Sequence, residues 1–339
     1  MTPLFVAISF AGGALATLSV LQLVRPVIGG RFVLPALAAA VLTTALTTTL
    51  GVAGGVARLD FLLGLCAFTP PVLVLLEAAA IGLGASTRAR WLLMLAWGLI
   101  VFPAATLLPL VLTAPCRFTG CGIADFGGAL ALFVSASAFV LPAWARPGDA
   151  LTVEVRGGQA VAGLVGFWLA FVVWLVSLEA AFDHYLLRIL LAAVVGPVAA
   201  ALGWWLVDLL RAVGRAPVRS LAFGFLAGAA ATVSGAVTVS FPWTAVVAAL
   251  AGMLGALLHS LPRLAALGLA PRWGMTLLGA TAMGFLAPPV WGDAMGVLFS
   301  AQVGVLLTPL AAFFAVTLGS ALVSLPIWLV IRRRPRAAA

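Results

Sequence analysis

Asp125-Phe126-Gly127-Gly128 opens an apolar run that continues through Phe133 to Ser137. An acid at a helix start accepts hydrogen bonds from free N–H groups, and glycines beside it let a neighbouring backbone come close. The chemistry of this stretch is that of a capped, tightly packed helix end. Glu77 lies inside another apolar run, where an ionisable group marks either a permeation path or a paired structural charge. Arg88 and Arg90 follow within its reach, so both roles stand. Cys116 and Cys121 have four residues between them, and a local disulfide, two free thiols or a metal pair are the alternatives. Cys66, in an apolar run, reads as core. The chain has two histidines, His184 and His259. It shows no nucleotide loop, zinc-type spacing or nucleophile–base pair, so no cofactor and no resident metal is expected.

These residues sit in a chain that is 64% hydrophobic and 8% charged, with apolar runs of about 20 residues, the length that spans a hydrocarbon core of about 30 Å. Such a composition excludes a soluble domain, and no stretch alternates often enough for a β-barrel. The hydropathy pattern predicts an all-α polytopic membrane protein with eleven spans, over 3–24, 33–56, 60–85, 91–113, 125–144, 158–178, 185–210, 220–239, 242–261, 269–287 and 305–331. The last is read as one long helix with Pro309 and Pro326 as candidate kinks, followed by a short basic tail at 332–339. The first run is followed by Arg25 and preceded by no basic residue, the reverse of a signal peptide.

All 18 basic residues are arginine. On this span count 15 of them fall on one side and only Arg58, Arg117 and Arg188 on the other. The positive-inside rule then puts the N-terminus outside and the C-terminus in the cytoplasm. The net charge of +9 is read as topology signal and contact with anionic lipid, not as nucleic-acid binding. A composition rich in Ala, Gly and Arg without Lys points to a GC-rich bacterial genome, hence to a bacterial plasma membrane. Asp60, Asp125, Glu179, Asp183 and Asp293, with His184, share the outer side. They form a cation-attracting vestibule, a catalytic cluster, or simply helix caps and polar loops.

The stretch from Asp125 resembles the fifth-helix signature of the ammonium transporter/Rhesus family, Asp-Phe-Ala-Gly-Gly-Thr-Val-Val-His-Ile-Asn-Ala-Gly. Phe133 stands where that family has its first pore histidine. Ala199-Ala200-Ala201-Leu202-Gly203-Trp204-Trp205-Leu206-Val207-Asp208 is similar to its Ala-Ala-Ala-Leu-Ser-Trp-Leu-Phe-Val-Glu. Ser240-Phe241-Pro242-Trp243 is similar to Val-Ser-Pro-Trp, and Gly279-Ala280-Thr281-Ala282-Met283-Gly284-Phe285-Leu286-Ala287 to the tail of the tenth helix. No single motif is diagnostic; the ordered series carries the resemblance.

The resemblance implies five helices repeated in inverted orientation, over about 1–145 and 157–290, plus the long final helix. It also implies a pore through each subunit and a homotrimer. Counting along it puts Trp174 at the second gating phenylalanine, and Leu178, or Ser177 after a one-residue slip, at the serine of the outer recruitment site. Arg272 falls at the second pore histidine, and also about one turn inside the cytoplasmic end of its span, where it can snorkel. Pro109 occupies the count of the family's outer tryptophan. The family's paired imidazoles, which both donate and accept protons, thus have no counterparts here. Three functions are compatible: a channel for ammonia or another small neutral solute, a non-conducting sensor, scaffold or complex subunit with an unidentified protein partner, and a membrane enzyme at the outer acids. The first is the leading expectation, and enzymatic activity is the least expected.

Overall fold

The computed structural model describes residues 3–28, 33–56, 58–113, 123–143, 157–211, 217–293 and 296–333. Helices α1 (Pro3–Ile28) and α2 (Leu34–Ala53) are long and apolar, the second begun by Pro35, whose fixed φ suits a first turn. The third run divides into α3 (Leu59–Cys66) and α4 (Thr69–Gly82). Pro70 and Pro71 cause the division, because neither can donate to the carbonyl four residues back. Thr69 Oγ1 donates to the Cys66 carbonyl at 2.8 Å instead. Both prolines then fall in the first turn of α4, where no donor is needed.

Helix α5 (Thr87–Ala96) passes through a π-helical turn at Trp97–Val101 into α6 (Phe102–Thr113). The span expected over 125–144 is much shorter as a helix: a π-helical turn at Leu130–Val134 leads into α7 (Ser135–Phe139). Its entry is not helical because Gly128 has a φ of +68°, in the left-handed region. Then come α8 (Gly157–Ser177), α9 (His184–Leu210), α10 (Pro217–Thr232) and α11 (Phe241–His259). α10 stops seven residues before the expected end at 239, and residues 233–239 turn without helix. The short α12 (Pro262–Ala266) precedes α13 (Leu269–Phe285), and α14 (Ala287–Trp291) and α15 (Val297–Ser300) lead to α16 (Leu307–Arg333). The final helix is single and contains Pro326, as the sequence predicts.

Seven stretches among the described residues are long and apolar enough to cross a bilayer. Leu130–Phe139, Val161–Ser177 and Ser220–Thr232 are apolar but shorter. α1 lies along α8, α9 packs against α10 and α11, and α13 contacts both α11 and α7. α16 closes over α7, where Trp328 Nε1 donates to the Phe139 carbonyl at 2.9 Å. Arg188 holds the segment after α14, 2.8 Å from Asp293 Oδ2, and donates to the Val237 carbonyl at 2.9 Å. Both ends of that pair are partly exposed, so Arg188→Ala should cost at most about 1 kcal/mol in a thermal unfolding measurement.

Candidate functional site

The break between α3 and α4 delivers Phe68 to the middle of the fold. Its ring stacks on Trp174 of α8, with centroids 4.1 Å apart and planes 25° from parallel. Phe167 and Phe171 meet Phe68 edge-on at 6.0 and 6.5 Å, and Phe133 lies 6.5 Å away. Phe68, Phe171, Trp174, Leu130 and Leu132 are fully buried. The indole N–H of Trp174 donates to the Gly64 carbonyl at 2.8 Å. That carbonyl is available because the Phe68 N–H turns to Leu65, three residues back, at 3.1 Å. The only polar hydrogen on these rings is thereby committed. The rings of this cluster carry no group that could relay a proton.

Asp125 caps the helix after it. Its Oδ1 accepts from the Ala129 N–H at 2.6 Å and its Oδ2 from the Leu130 N–H at 2.9 Å. The preceding backbone pairs with the turn after α10: Phe126 and Gly127 N–H donate to Ser234 and Val233 carbonyls at 3.2 and 3.1 Å. A Cβ on Gly127 would lie 2.4 Å from Val233 Cγ1, so glycine permits this approach. Asp125→Ala strands two N–H groups and should cost about 1–3 kcal/mol, measured by thermal unfolding, with Asp125→Asn losing less.

Asp183, Asp293, Asp60 and Glu179 serve separate local roles. Asp183 caps α9 by accepting from the Tyr185 N–H at 2.9 Å, Asp293 pairs with Arg188, and Asp60 lies 3.9 Å from Arg58. Burial, and after it the neighbouring Asp183 carboxylate, pushes the Glu179 carboxyl up from its ordinary range. Among the described residues no three acids, histidines or cysteines converge on a metal-sized site.

His259 ends α11 inside a cage of rings: Trp273 at 5.0 Å, Phe223 at 5.2 Å and Trp204 at 5.6 Å. Asp208 Oδ2 accepts from Trp204 Nε1 at 3.1 Å and from Ser220 Oγ at 2.7 Å. Arg272 Nε donates to the His259 carbonyl at 2.5 Å, placing its positive charge at the C-terminal end of α11. His184, at the other end of the fold, is exposed on the first turn of α9. Neither imidazole touches the aromatic cluster around Phe68 through any described ring contact.

Glu77 takes the salt-bridged role. Its Oε1 lies 2.6 Å from Arg90 Nη2 and accepts from Arg90 Nε at 2.8 Å, while Oε2 accepts from the Ala36 N–H at 2.9 Å. Ser177 turns towards α1, its hydroxyl 2.7 Å from Ser9 Oγ and donating to the Trp174 carbonyl at 2.6 Å. Leu178 is buried against Gly64. Trp174 and Phe133 come together around Phe68, whereas Arg272 belongs to the separate cluster around His259. Cys116 and Cys121 lie outside the described residues. Phe68 and the rings around His259 were not singled out by sequence. The signal for Phe68 is its place just before Thr69-Pro70-Pro71, where a helix must break.

No protein-family model matches the sequence, and no curated protein does. Among solved structures, the chain is similar to Mep2 of Saccharomyces cerevisiae, with TM-score 0.73 and 14% identity over 98% of this chain and 88% of that one. It is similar to a sensor Amt protein, with TM-score 0.75 and 12% identity over 98% and 93%. It is also similar to Rh50 of Nitrosomonas europaea, one of the Rhesus protein family of channels, with TM-score 0.67 and 14% identity over 98% and 89%. The fold is therefore that of the ammonium transporter/Rhesus structures: an all-α, multi-pass membrane architecture.

Proposed function

We propose that this chain is an ammonium-transporter-like channel whose centre passes ammonia or another small neutral solute and carries no imidazole relay. The supporting observation is the aromatic cluster of Phe68, Phe133, Phe171 and Trp174 lying in this fold where Phe133 matches a pore histidine. An apolar constriction excludes ions by desolvation and leaves passage to molecules that shed water cheaply. In this reading the three shorter apolar helices and α13 also cross the bilayer, giving eleven crossings, with the N-terminus outside and the C-terminus in the cytoplasm. The two inverted repeats, the final helix and a homotrimer in a bacterial plasma membrane complete the arrangement. Asp125 shapes the outer entrance.

A second reading is favoured by the same rings: they are stacked and buried, and one resembling structure is a sensor. A chain whose rings at Phe68 never part would report or scaffold rather than conduct. The test is stopped-flow ammonia entry into proteoliposomes carrying an internal pH dye. A conducting chain alkalinises the vesicles faster than protein-free lipid does, with a rate that grows with pH as the neutral fraction grows. Rates equal to those of protein-free vesicles would leave the sensor reading in place.

A further inference from the structure

We infer that Trp174 is a positioning residue held in place by α1, which acts as a brace keeping the Phe68–Trp174 stack closed. Three neighbouring residues of α1 carry this inference. A Cβ on Gly13 would lie 1.8 Å from the Ala67 carbonyl oxygen. That oxygen has no helical donor because Pro71 sits four residues on, so α1 seats against the broken backbone immediately before Phe68. A Cβ on Gly12 would lie 3.0 Å from the Trp174 nitrogen and 3.1 Å from its Cβ, so the same turn of α1 also bears on the backbone of the stacking partner. One turn earlier, Ser9 Oγ meets Ser177 Oγ at 2.7 Å, and Ser177 donates to the Trp174 carbonyl. Helix α1 therefore touches the backbone behind both rings.

The indole bond from Trp174 to Gly64 joins the two sides that α1 holds. Moving the Trp174 ring away from Phe68 breaks that bond, and shifting the backbone behind either ring displaces it against α1 at Ala67 or Trp174. The brace is a property of packing and holds whether or not the chain conducts; its effect on flux rests on the channel reading above.

The experiment uses the full chain in lipid nanodiscs with ¹⁵N-indole tryptophan, the Trp174 signal being identified by its loss in Trp174→Phe. In the unaltered protein the Trp174 indole N–H exchanges slowly with deuterated water. Gly12→Ala demands a shift of a few tenths of an ångström at Trp174 and should speed that exchange about tenfold. Gly319→Ala is the control, since a Cβ there meets nothing within 4 Å, and leaves the exchange unchanged. Unchanged exchange in folded Gly12→Ala would overturn the brace. Gly13→Ala is the harsher variant, and Gly12→Ala decides the matter if that protein does not fold. Faster indole exchange with flux still at the protein-free level supports the brace and sinks the channel reading. Flux in the unaltered chain with unchanged exchange does the opposite.

Discussion

Glu77→Ala will destabilise the protein by about 3–5 kcal/mol, because it removes the carboxylate that neutralises a buried guanidinium. Glu77 is wholly buried and Arg90 is 9% exposed, so solvent cannot replace the lost carboxylate. The other oxygen of the same carboxylate, Oε2, accepts from the Ala36 N–H in the first turn of α2, where a negative charge is favoured by the helix dipole. Glu77 on α4 thus ties together the start of α2 and the first turn of α5. Thermal unfolding in detergent measures the loss. Glu77→Met combined with Arg90→Leu removes both charges and should recover most of it, since a buried pair exchanged for apolar groups is close to neutral. A single variant that unfolds within about 1 kcal/mol of the parent would contradict this role.

Trp174→Phe keeps a ring against Phe68 but removes the donor to Gly64. A stacked aromatic contact is worth about 0.5–1.5 kcal/mol and a buried hydrogen bond about as much. If these hold the constriction shut, weakening them lowers the barrier by about 1–2 kcal/mol and raises ammonia flux about 5- to 30-fold. Phe68→Ala should act in the same direction. The double variant should gain less than the product of the two, because both changes undo one contact. Stopped-flow flux per reconstituted protein measures all three. Flux unchanged in Trp174→Phe and Phe68→Ala would place the barrier elsewhere.

Much of the fold is legible in the sequence because a bilayer makes it so: apolar runs of span length need no long-range information to be recognised. Where helices shorten or break, the cause is local chemistry of a different kind. The third span divides at Pro70-Pro71, and the fifth begins late because Gly128 is left-handed. The end of α10 was less legible. Residues 233 and 234 leave the helix and accept hydrogen bonds from Phe126 and Gly127, a pairing across more than a hundred residues that no local pattern announces.

The candidate site divides in the same way. Asp125 as a cap, and Glu77 as an acid beside Arg90, follow from helix ends and side-chain reach. Trp174 was found through its resemblance, but its partner Phe68 was not, since one phenylalanine among 20 carries no mark of its neighbours. Ser177 shows the opposite limit: this hydroxyl, one residue off the count that falls on Leu178, faces Ser9 on α1, because a shift of one residue on a helix turns a side chain by about 100°.

The most direct measurement is a high-resolution cryo-electron microscopy map of the protein in a lipid nanodisc, read at the level of Phe133. Phe68 and Trp174 should be stacked there, with the indole within hydrogen-bonding distance of the Gly64 carbonyl and no water between the rings. A continuous file of water running past Phe133 between separated rings would contradict a centre closed by aromatic side chains.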